Sequence, residues 1–289
     1  MSISAAQVKE LRDQTGAGMM ECKKALMEHQ GDVDKAIDHL RKQGALKAAK
    51  RSDRITSEGL VAEAVSEDEK RAALTELDCE TDFVARTDQF QGFVRALALH
   101  VLKTNPRSMD DLLSGKFHVQ PQHTVQEALT ELVRKTGENI SIKRFVCLAA
   151  PSQGEQLSVY VHPGNKIGVL VKVSGQKSKV DKQAIRDIAM HIAAMNPLYL
   201  SVDQVPREVE ERERNVIRSS ADIQGKPEKV VENIIEGRYR KFLAEVCLLN
   251  QIFIKDPQGK LSVEKVLKTI DSEMQITEFA RFQVGESNS

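Results

Sequence analysis

Two segments of this 289-residue chain match each other at a fixed spacing, and this internal repeat constrains the fold more than any other feature. Residues 98–106 and residues 189–197 both contain Ala-x-His followed by an aliphatic residue, and both end in Asn-Pro, at an offset of 91 residues. Each has the pattern of a helix that follows predicted strands and ends before proline. We therefore predict a core of two related α+β units. Because His100 and His191 take equivalent places in these apolar helices, we interpret both as buried structural histidines rather than ligands.

Residues 3–45 carry three short helical patterns in succession, each with apolar residues on one face. The patterns end at Thr15–Gly18, Gly31 and Gly44, where glycine permits the left-handed backbone of a helix end. This predicts a compact three-helix bundle. Residues 45–54 then lose the apolar periodicity and gain basic charge, which indicates either a linker or an exposed helical extension.

The apolar period changes from about 3.6 to about 2 after Gly59, which predicts strands. The predicted strands lie at 60–65, 73–77, 140–148, 156–162, 167–173 and 274–284, and the predicted helices at 83–104, 108–114, 123–136, 181–195 and 263–270.

A charged segment interrupts the second unit. Residues 206–224 carry Glu and Arg at i,i+4 spacing, and after Gly225-Lys226-Pro227 the chain resumes with a strong apolar stripe. We predict an antiparallel, coiled-coil-like helical hairpin that projects from the body.

The predicted fold class is therefore α+β: an N-terminal three-helix bundle followed by a core of two related α+β subdomains with an inserted helical hairpin. The predicted boundaries are 1–55 for the N-terminal domain, 56–148 for the first core subdomain, 149–285 for the second, 206–247 for the hairpin, 248–285 for a C-terminal module and 286–289 for a tail.

Composition argues against several classes of function. Lys and Arg number 42 against 42 Asp and Glu, only 4% of residues are aromatic and none is Trp, so we expect no direct nucleic-acid binding. Four cysteines without a paired spacing predict neither a zinc knuckle nor disulfides, and favour the reducing cytoplasm. No signal segment or membrane span is expected.

The motifs of common enzymes are also missing from the sequence. There is no phosphate-binding loop, dinucleotide fingerprint or nucleophile elbow, and His118 and His123 are five residues apart, which does not align them on one helix face. We therefore predict no catalytic residues, no metal site and no cofactor, and favour a binding protein over an enzyme.

Residues 79–86 lie where a predicted strand gives way to a helix. One interpretation takes Thr81 or Asp82 as the helix N-cap and Phe83 as a core residue. The other has the turn present an acidic group and a phenyl ring together to a partner, since aromatic anchors are typical of binding hot spots. The pattern leaves both interpretations open.

Matches to one known family run along nearly the whole chain: Val8–Arg12, Thr15–Leu26, Gly31–Asp32, Ala36–Ile37, Leu40–Arg41, Gly44, Lys47–Lys50, Thr81–Val84, Gly137–Ile140, His162, Ile167–Leu170, Gly225–Pro227 and Arg281–Glu286. In this order they resemble the bacterial translation elongation factor Ts family. The resemblance implies a guanine-nucleotide exchange factor for the GTPase elongation factor Tu, with a ubiquitin-associated-like N-terminal bundle. Self-association through the core stays open.

The resemblance also implies roles for particular residues. The bundle would dock on the GTPase domain through Arg12, Met19 and Met20; the alternative for the methionines is the bundle core, and both roles stay open for Met19. The intruding segment would be Thr81, Asp82, Phe83 and Val84, with Asp82 and Phe83 near the nucleotide site, where they disturb Mg²⁺ coordination; His162 would be a further contact from the core.

Three positions depart from the family's common pattern: Lys166 replaces a frequent arginine, Asp78 a frequent asparagine, and Ser287 a usual glycine. The alternative from another class is an adaptor that binds ubiquitin-like or other proteins through residues 1–45 alone. Such an adaptor would not need residues 57–285, and it would not form a complex that GDP dissolves.

Overall fold

The computed structural model describes residues 3–15, 17–49, 51, 53–176, 181–220 and 227–286. Its α-helices are α1 (Ala5–Thr15), α2 (Met19–Glu28), α3 (Val33–Ala49), α4 (Asp82–Ala85), α5 (Asp88–Thr104), α6 (Met109–Ser114), α7 (Val125–Thr136), α8 (Lys182–Met195), α9 (Arg207–Arg218), α10 (Glu228–Val246) and α11 (Val263–Ile270). Its strands are β1 (Glu58–Val65), β2 (Arg71–Cys79), β3 (Ile140–Ala149), β4 (Glu155–Val161), β5 (Ile167–Ser174) and β6 (Gln275–Gln283). The strands form two three-stranded sheets, β1-β2-β3 and β4-β5-β6. The predicted α+β class is confirmed.

Helices α1, α2 and α3 form the predicted N-terminal bundle around a small apolar core. Its fully buried members include Leu11, Cys22, Leu26 and Ala36. The prediction that the third helix ends at Gly44 is wrong, because α3 continues to Ala49 as a helical extension. Within the helix Gly44 lies beside α7: a Cβ there would lie 3.3 Å from Cδ of the flexible Arg134 side chain, a tight contact that a small shift of this side chain would relieve. The predicted stop at Gly16 lies outside the described residues.

The two helices that carry the sequence repeat end in the same way. α5 is capped by Asn105 with φ 47°, and α8 by Asn196 with φ 45°. Asparagine tolerates this left-handed conformation better than most residues, and the following proline prevents the helix from continuing. Both helix ends are therefore as predicted.

The repeated histidines are both buried, with 1% and 0% of their surface exposed. His191 accepts the Ile254 N–H at Nδ1 (3.1 Å), so its Nε2 carries the proton and donates to Gln251 Oε1 (3.0 Å). Burial lowers the pKa of both His100 and His191, which keeps the imidazoles neutral. These features agree with structural roles.

The second sheet packs against α8. β4 and β5 pair antiparallel from Glu155 with Ser174 to Val161 with Gly168. Residues Val169, Val171 and Val173 alternate toward α8, which contributes several isoleucines to the same core. The apolar face of β5, which has a period of two residues, and the apolar face of α8, which has a helical period, therefore pack together in one layer.

α9 and α10 form the predicted antiparallel hairpin. Arg214 pairs with Glu236 (2.6 Å) and Arg218 pairs with Glu232 (2.9 Å), so residue numbers rise on one helix as they fall on the other. The predicted turn at Gly225-Lys226 lies outside the described residues, as does the end of the tail, Ser287–Ser289. That the hairpin projects stays a prediction.

The chain groups into two compact units, one of residues 1–64, 75–146 and 283–289, the other of residues 65–74 and 147–282. Both units are discontinuous in sequence, whereas the predicted domains are continuous segments; those boundaries stay a prediction. No helix in the described part of the chain combines the length and the apolar character that crossing a membrane requires.

Candidate partner-binding site

The turn between β2 and α4 is held at Thr81. Its side chain caps the four-residue helix α4 by accepting the Val84 N–H (3.4 Å), which confirms Thr81 as the N-cap. The hydroxyl of Thr81 also donates to Glu138 Oε1 (2.6 Å), and the Thr81 N–H donates to Glu138 Oε2 (3.1 Å). The Glu138 carboxylate thus accepts hydrogen bonds from both the hydroxyl and the backbone N–H of Thr81, and this fixes the backbone at the start of α4.

The neighbouring Glu80 holds the same turn from its other side. Its carboxylate accepts the Asn139 N–H (2.6 Å) and lies 3.3 Å from the Arg54 guanidinium. The backbone hydrogen bond from Asn139, followed by the hydrogen bond from Arg54, holds the pKa of Glu80 below its ordinary value. Asn139 in turn donates from Nδ2 to the Arg54 carbonyl (2.9 Å). The turn is therefore fixed to residues 138–139 by charge-assisted hydrogen bonds.

On this fixed support the side chain of Phe83 is 79% exposed. The interpretation of Phe83 as a core residue is therefore wrong; Ala85 is the buried member of α4. At the preceding residue, the Asp82 carboxylate lies 2.9 Å from Arg86, an exposed i,i+4 pair that is readily exchanged for another partner. The turn presents a carboxylate and a phenyl ring from successive residues, with Val84 half-buried.

Two buried carboxyl groups lie on β2 just before this turn. Glu76 and Asp78 are 0% and 3% exposed, and Arg144 of β3 donates to Glu76 Oε2 (2.6 Å). Arg144 also binds the Gln283 carbonyl (3.3 Å) and Glu286 Oε2 (3.5 Å). Burial, and next the negative charge of Glu76, raise the pKa of Asp78 to about 7. Burial raises the pKa of Glu76 as well, against the lowering by Arg144. Asp78, which departs from the family pattern, is thus a buried acid that holds a proton close to neutral pH.

The predicted bundle residues are all at the surface. Arg12 is exposed near the end of α1, and Met19 and Met20, 48% and 75% exposed, form the first turn of α2. The interpretation of both methionines as bundle core is therefore wrong. The Thr15 hydroxyl donates to the Leu11 carbonyl within α1 (2.6 Å) and accepts the Ala17 N–H (3.3 Å) just before α2. Two exposed methionines on a supported helix start are suited to packing against a partner.

His162 belongs to the other compact unit, at the end of β4, and is exposed. Its Nδ1 lies 2.8 Å from the Tyr160 hydroxyl, which leaves the far side of the ring available. Its backbone N–H donates to the Ile167 carbonyl (2.9 Å) across the turn to β5. Thr81, Asp82, Phe83 and Val84 lie together at one turn of the first unit. His162 lies in the second unit, and its contacts are with residues of that unit.

Sequence reasoning missed the residues that support the turn. Glu138 lies 57 positions from Thr81, and Arg144 lies 68 positions from Glu76. The one signal in the sequence is that Glu138 lies in the segment Gly137–Ile140, which matches the family pattern. That match assigns no role to Glu138.

Comparisons with known proteins agree on one family. The family model described as Elongation factor TS matches residues 80–286. The chain is 42% identical over 287 residues to an Elongation factor Ts of Clostridium botulinum (strain Eklund 17B / Type B), covering 98% of this chain and 93% of that relative. It belongs to the elongation factor Ts family. Membership makes it a translation elongation factor that serves protein biosynthesis.

Other elongation factor Ts relatives match at similar identity and coverage. The one from Trichlorobacter lovleyi is 40% identical over 293 residues, covering 99% of this chain and 94% of the relative. The one from Clostridium perfringens (strain SM101 / Type A) is 43% identical over 289 residues, covering 98% and 93%. In this member of the elongation factor Ts family, Thr81–Val84 and His162 lie inside the region that the family model matches, and Arg12, Met19 and Met20 lie before it.

Proposed function

We propose that this chain is a guanine-nucleotide exchange factor for elongation factor Tu. It binds the GDP-bound GTPase, promotes GDP release by disturbing Mg²⁺ coordination and so allows GTP to bind. The observation that carries the proposal is the 79% exposed Phe83 beside Asp82, on a turn fixed by Glu138. Membership in the elongation factor Ts family supports the same partner.

A fixed turn suits this task because a partner-binding loop that is already ordered loses little conformational entropy on binding. Mg²⁺ demands near-ideal octahedral geometry and uses few protein ligands, so a small displacement of those ligands weakens its binding. A ring with most of its surface free can enter a neighbouring apolar site, and the adjacent carboxylate can exchange Arg86 for a group of the partner.

No catalytic acid or base is needed for exchange, and we propose that the chain is not an enzyme in the usual sense. It need only bind nucleotide-free elongation factor Tu more tightly than the GDP-bound form. By linkage, the factor then weakens GDP binding as strongly as GDP weakens binding of the factor. Because the preferred form is free of any nucleotide, the same linkage applies to GTP, and GTP, once bound, would release the factor.

Other exposed residues extend the proposed contact surface. Arg12, Met19 and Met20 at the α1–α2 end of the bundle are proposed to dock on the GTPase domain, and His162 to make a separate contact from the second unit. Each is exposed in the free chain, as a contact residue must be.

The test is release of a fluorescent GDP analogue from elongation factor Tu in excess unlabelled GDP. We expect substoichiometric amounts of this chain to accelerate release, and Phe83→Ala and Asp82→Ala to slow the accelerated rate by about tenfold or more, as for truncation of a hot-spot residue. Phe83→Ala should cost folding only about 0.5 kcal/mol, because about a fifth of the ring is covered.

Matched controls lie in the same unit. Val119→Ala removes an exposed apolar side chain (51% exposed) and Asp110→Ala an exposed acidic residue from the first turn of a helix, and both should leave the rate unchanged. Equal rates for Phe83→Ala and wild type, with both folded by circular dichroism, would contradict the role of the turn.

Addition of GDP separates this proposal from the adaptor alternative. A complex of the chain with elongation factor Tu should dissociate as GDP is added, measured by size-exclusion chromatography. A complex that is insensitive to GDP would instead indicate simple docking.

A further inference from the structure

Three side chains with metal-ligating atoms meet where α2 and α3 lie side by side. Glu28 and His29 stand at the end of α2, and His39 stands on α3. One potential ligand atom from each lies within 4.8 Å of those of the other two. The rings of the two histidines are 5.0 Å apart in an edge-on arrangement, and Glu28 Oε2 lies 3.6 Å from His39 Nε2.

Within the part of the chain that the structure describes, His29 Nε2 is enclosed and has no hydrogen-bond partner. An enclosed polar atom without a partner is costly, and a bound ion is one of the few ordinary explanations. The neighbouring His39 Nε2 lies 2.8 Å from the Gln43 side-chain amide, a flexible group that can turn away when a stronger ligand arrives.

The backbone beneath these residues is well fixed. The Gly31 N–H donates to the Leu26 carbonyl (2.8 Å), and the His29 N–H to that of Ala25 (3.0 Å). Gly31 has φ 88°, and this left-handed conformation closes the tight turn into α3. The ligand atoms, which lie within 4.8 Å of one another, must approach to the separation of about 3.3 Å that tetrahedral zinc with Zn–N bonds of about 2.0 Å requires, and side-chain rotation can supply such a shift.

We propose that Glu28, His29 and His39 form a binding site for a divalent transition metal of the zinc class, which joins α2 to α3 in the N-terminal bundle. Two imidazoles and one carboxylate suit zinc, cobalt and nickel, whereas calcium and magnesium prefer oxygen ligands alone. Three protein ligands leave a fourth position for water or for a ligand from another molecule. A site between two helices also stabilises the bundle, because metal binds the folded form preferentially.

The test uses the full-length chain without an affinity tag. Titration with Co²⁺, followed by visible absorption, and competition by Zn²⁺ should give one site per chain without a thiolate charge-transfer band. His29→Gln and His39→Gln should each weaken metal binding by about tenfold or more. Glu28→Gln provides a variant at a half-exposed side chain (51%), whose folding is not at risk, and it should also weaken binding.

His123→Gln is the matched control. His123 lies 3.9 Å from Glu127, so it forms a histidine–glutamate pair without a second imidazole. Its substitution should leave the affinity unchanged. Metal binding of equal affinity in His29→Gln, His39→Gln and wild type, or no binding by wild type in the presence of excess metal, would overturn the proposal. Circular dichroism in the presence of chelator establishes that each variant is folded.

Discussion

Asp78 is the residue whose replacement gives the sharpest test of the electrostatics beside the candidate site. It is 3% exposed on β2, and its pKa is raised to about 7 by burial and by the nearby charge of Glu76. Asp78→Asn keeps the shape of the side chain and removes the ionisation. The new amide can donate toward the Glu76 carboxylate, whose Oε1 has no hydrogen-bond partner among the described residues.

The sign of the effect follows from linkage. As pH rises through the usual value of 3.8, the unfolded chain loses the Asp78 proton while the folded chain keeps it until about pH 7. The free energy of unfolding of the wild type therefore falls across this window and levels off above it. The difference between 3.8 and about 7 corresponds in full to about 4 kcal/mol, at about 1.4 kcal/mol per pKa unit. Between about pH 5 and about pH 8, the free energy of unfolding of the wild type should fall by about 2.5 kcal/mol through this group.

We expect urea unfolding, measured by circular dichroism at these two pH values, to show a change in the difference between Asp78→Asn and wild type. The free energy of unfolding of the variant, relative to that of the wild type, should be about 2.5 kcal/mol higher at about pH 8 than at about pH 5. Hydrogen exchange of the peptide covering 75–79 locates the gain in β2. Asp110→Asn, at an exposed aspartate, is the control and should follow the wild type. A difference between Asp78→Asn and wild type that is constant with pH would refute a buried, protonated Asp78.

Three further substitutions test other parts of the structure. Arg214→Ala removes two carboxylate partners and a guanidinium 4.2 Å from the centre of the Tyr239 ring, and should lower the stability of the hairpin by about 1–2 kcal/mol, measured by hydrogen exchange in α10. Glu138→Gln weakens the acceptor of both Thr81 groups and should slow nucleotide release several-fold without unfolding the chain, as judged by circular dichroism. Gly59→Ala forces a Cβ into the backbone of β2 and should lower the free energy of unfolding by about 2 kcal/mol or more, seen as a lower Tm.

Local signals were sufficient for much of the fold. The ends of α5 and α8 follow from Asn-Pro, because asparagine tolerates the left-handed conformation and proline stops the helix. The end of α3 did not follow, because glycine in a sequence is ambiguous between a helix stop and a close approach. The structure decides, because α3 runs through Gly44 to Ala49, and Gly44 lies beside Arg134, a residue 90 positions away.

Side-chain clusters that join distant segments were beyond sequence reasoning. A sequence pattern can pair histidines that share one helix face, whereas His29 caps the end of α2 and His39 lies on α3, after the turn. Likewise Glu76 and Asp78 alternate with apolar residues as in any strand, and nothing in that pattern indicates that both strand faces are buried, which is what raises the pKa of Asp78.

Phe83 shows why the candidate site needed the structure. α4 is only four residues long, and one turn of helix is too short for an apolar period to indicate which side faces inward. Exposure alone is also a weak argument, because single exposed apolar residues are common on soluble proteins. Glu138, however, uses both carboxylate oxygens to fix Thr81, which lies just before the exposed ring. A surface phenylalanine without a partner would gain nothing from such support, whereas a ring that must enter a neighbouring site in one orientation requires it.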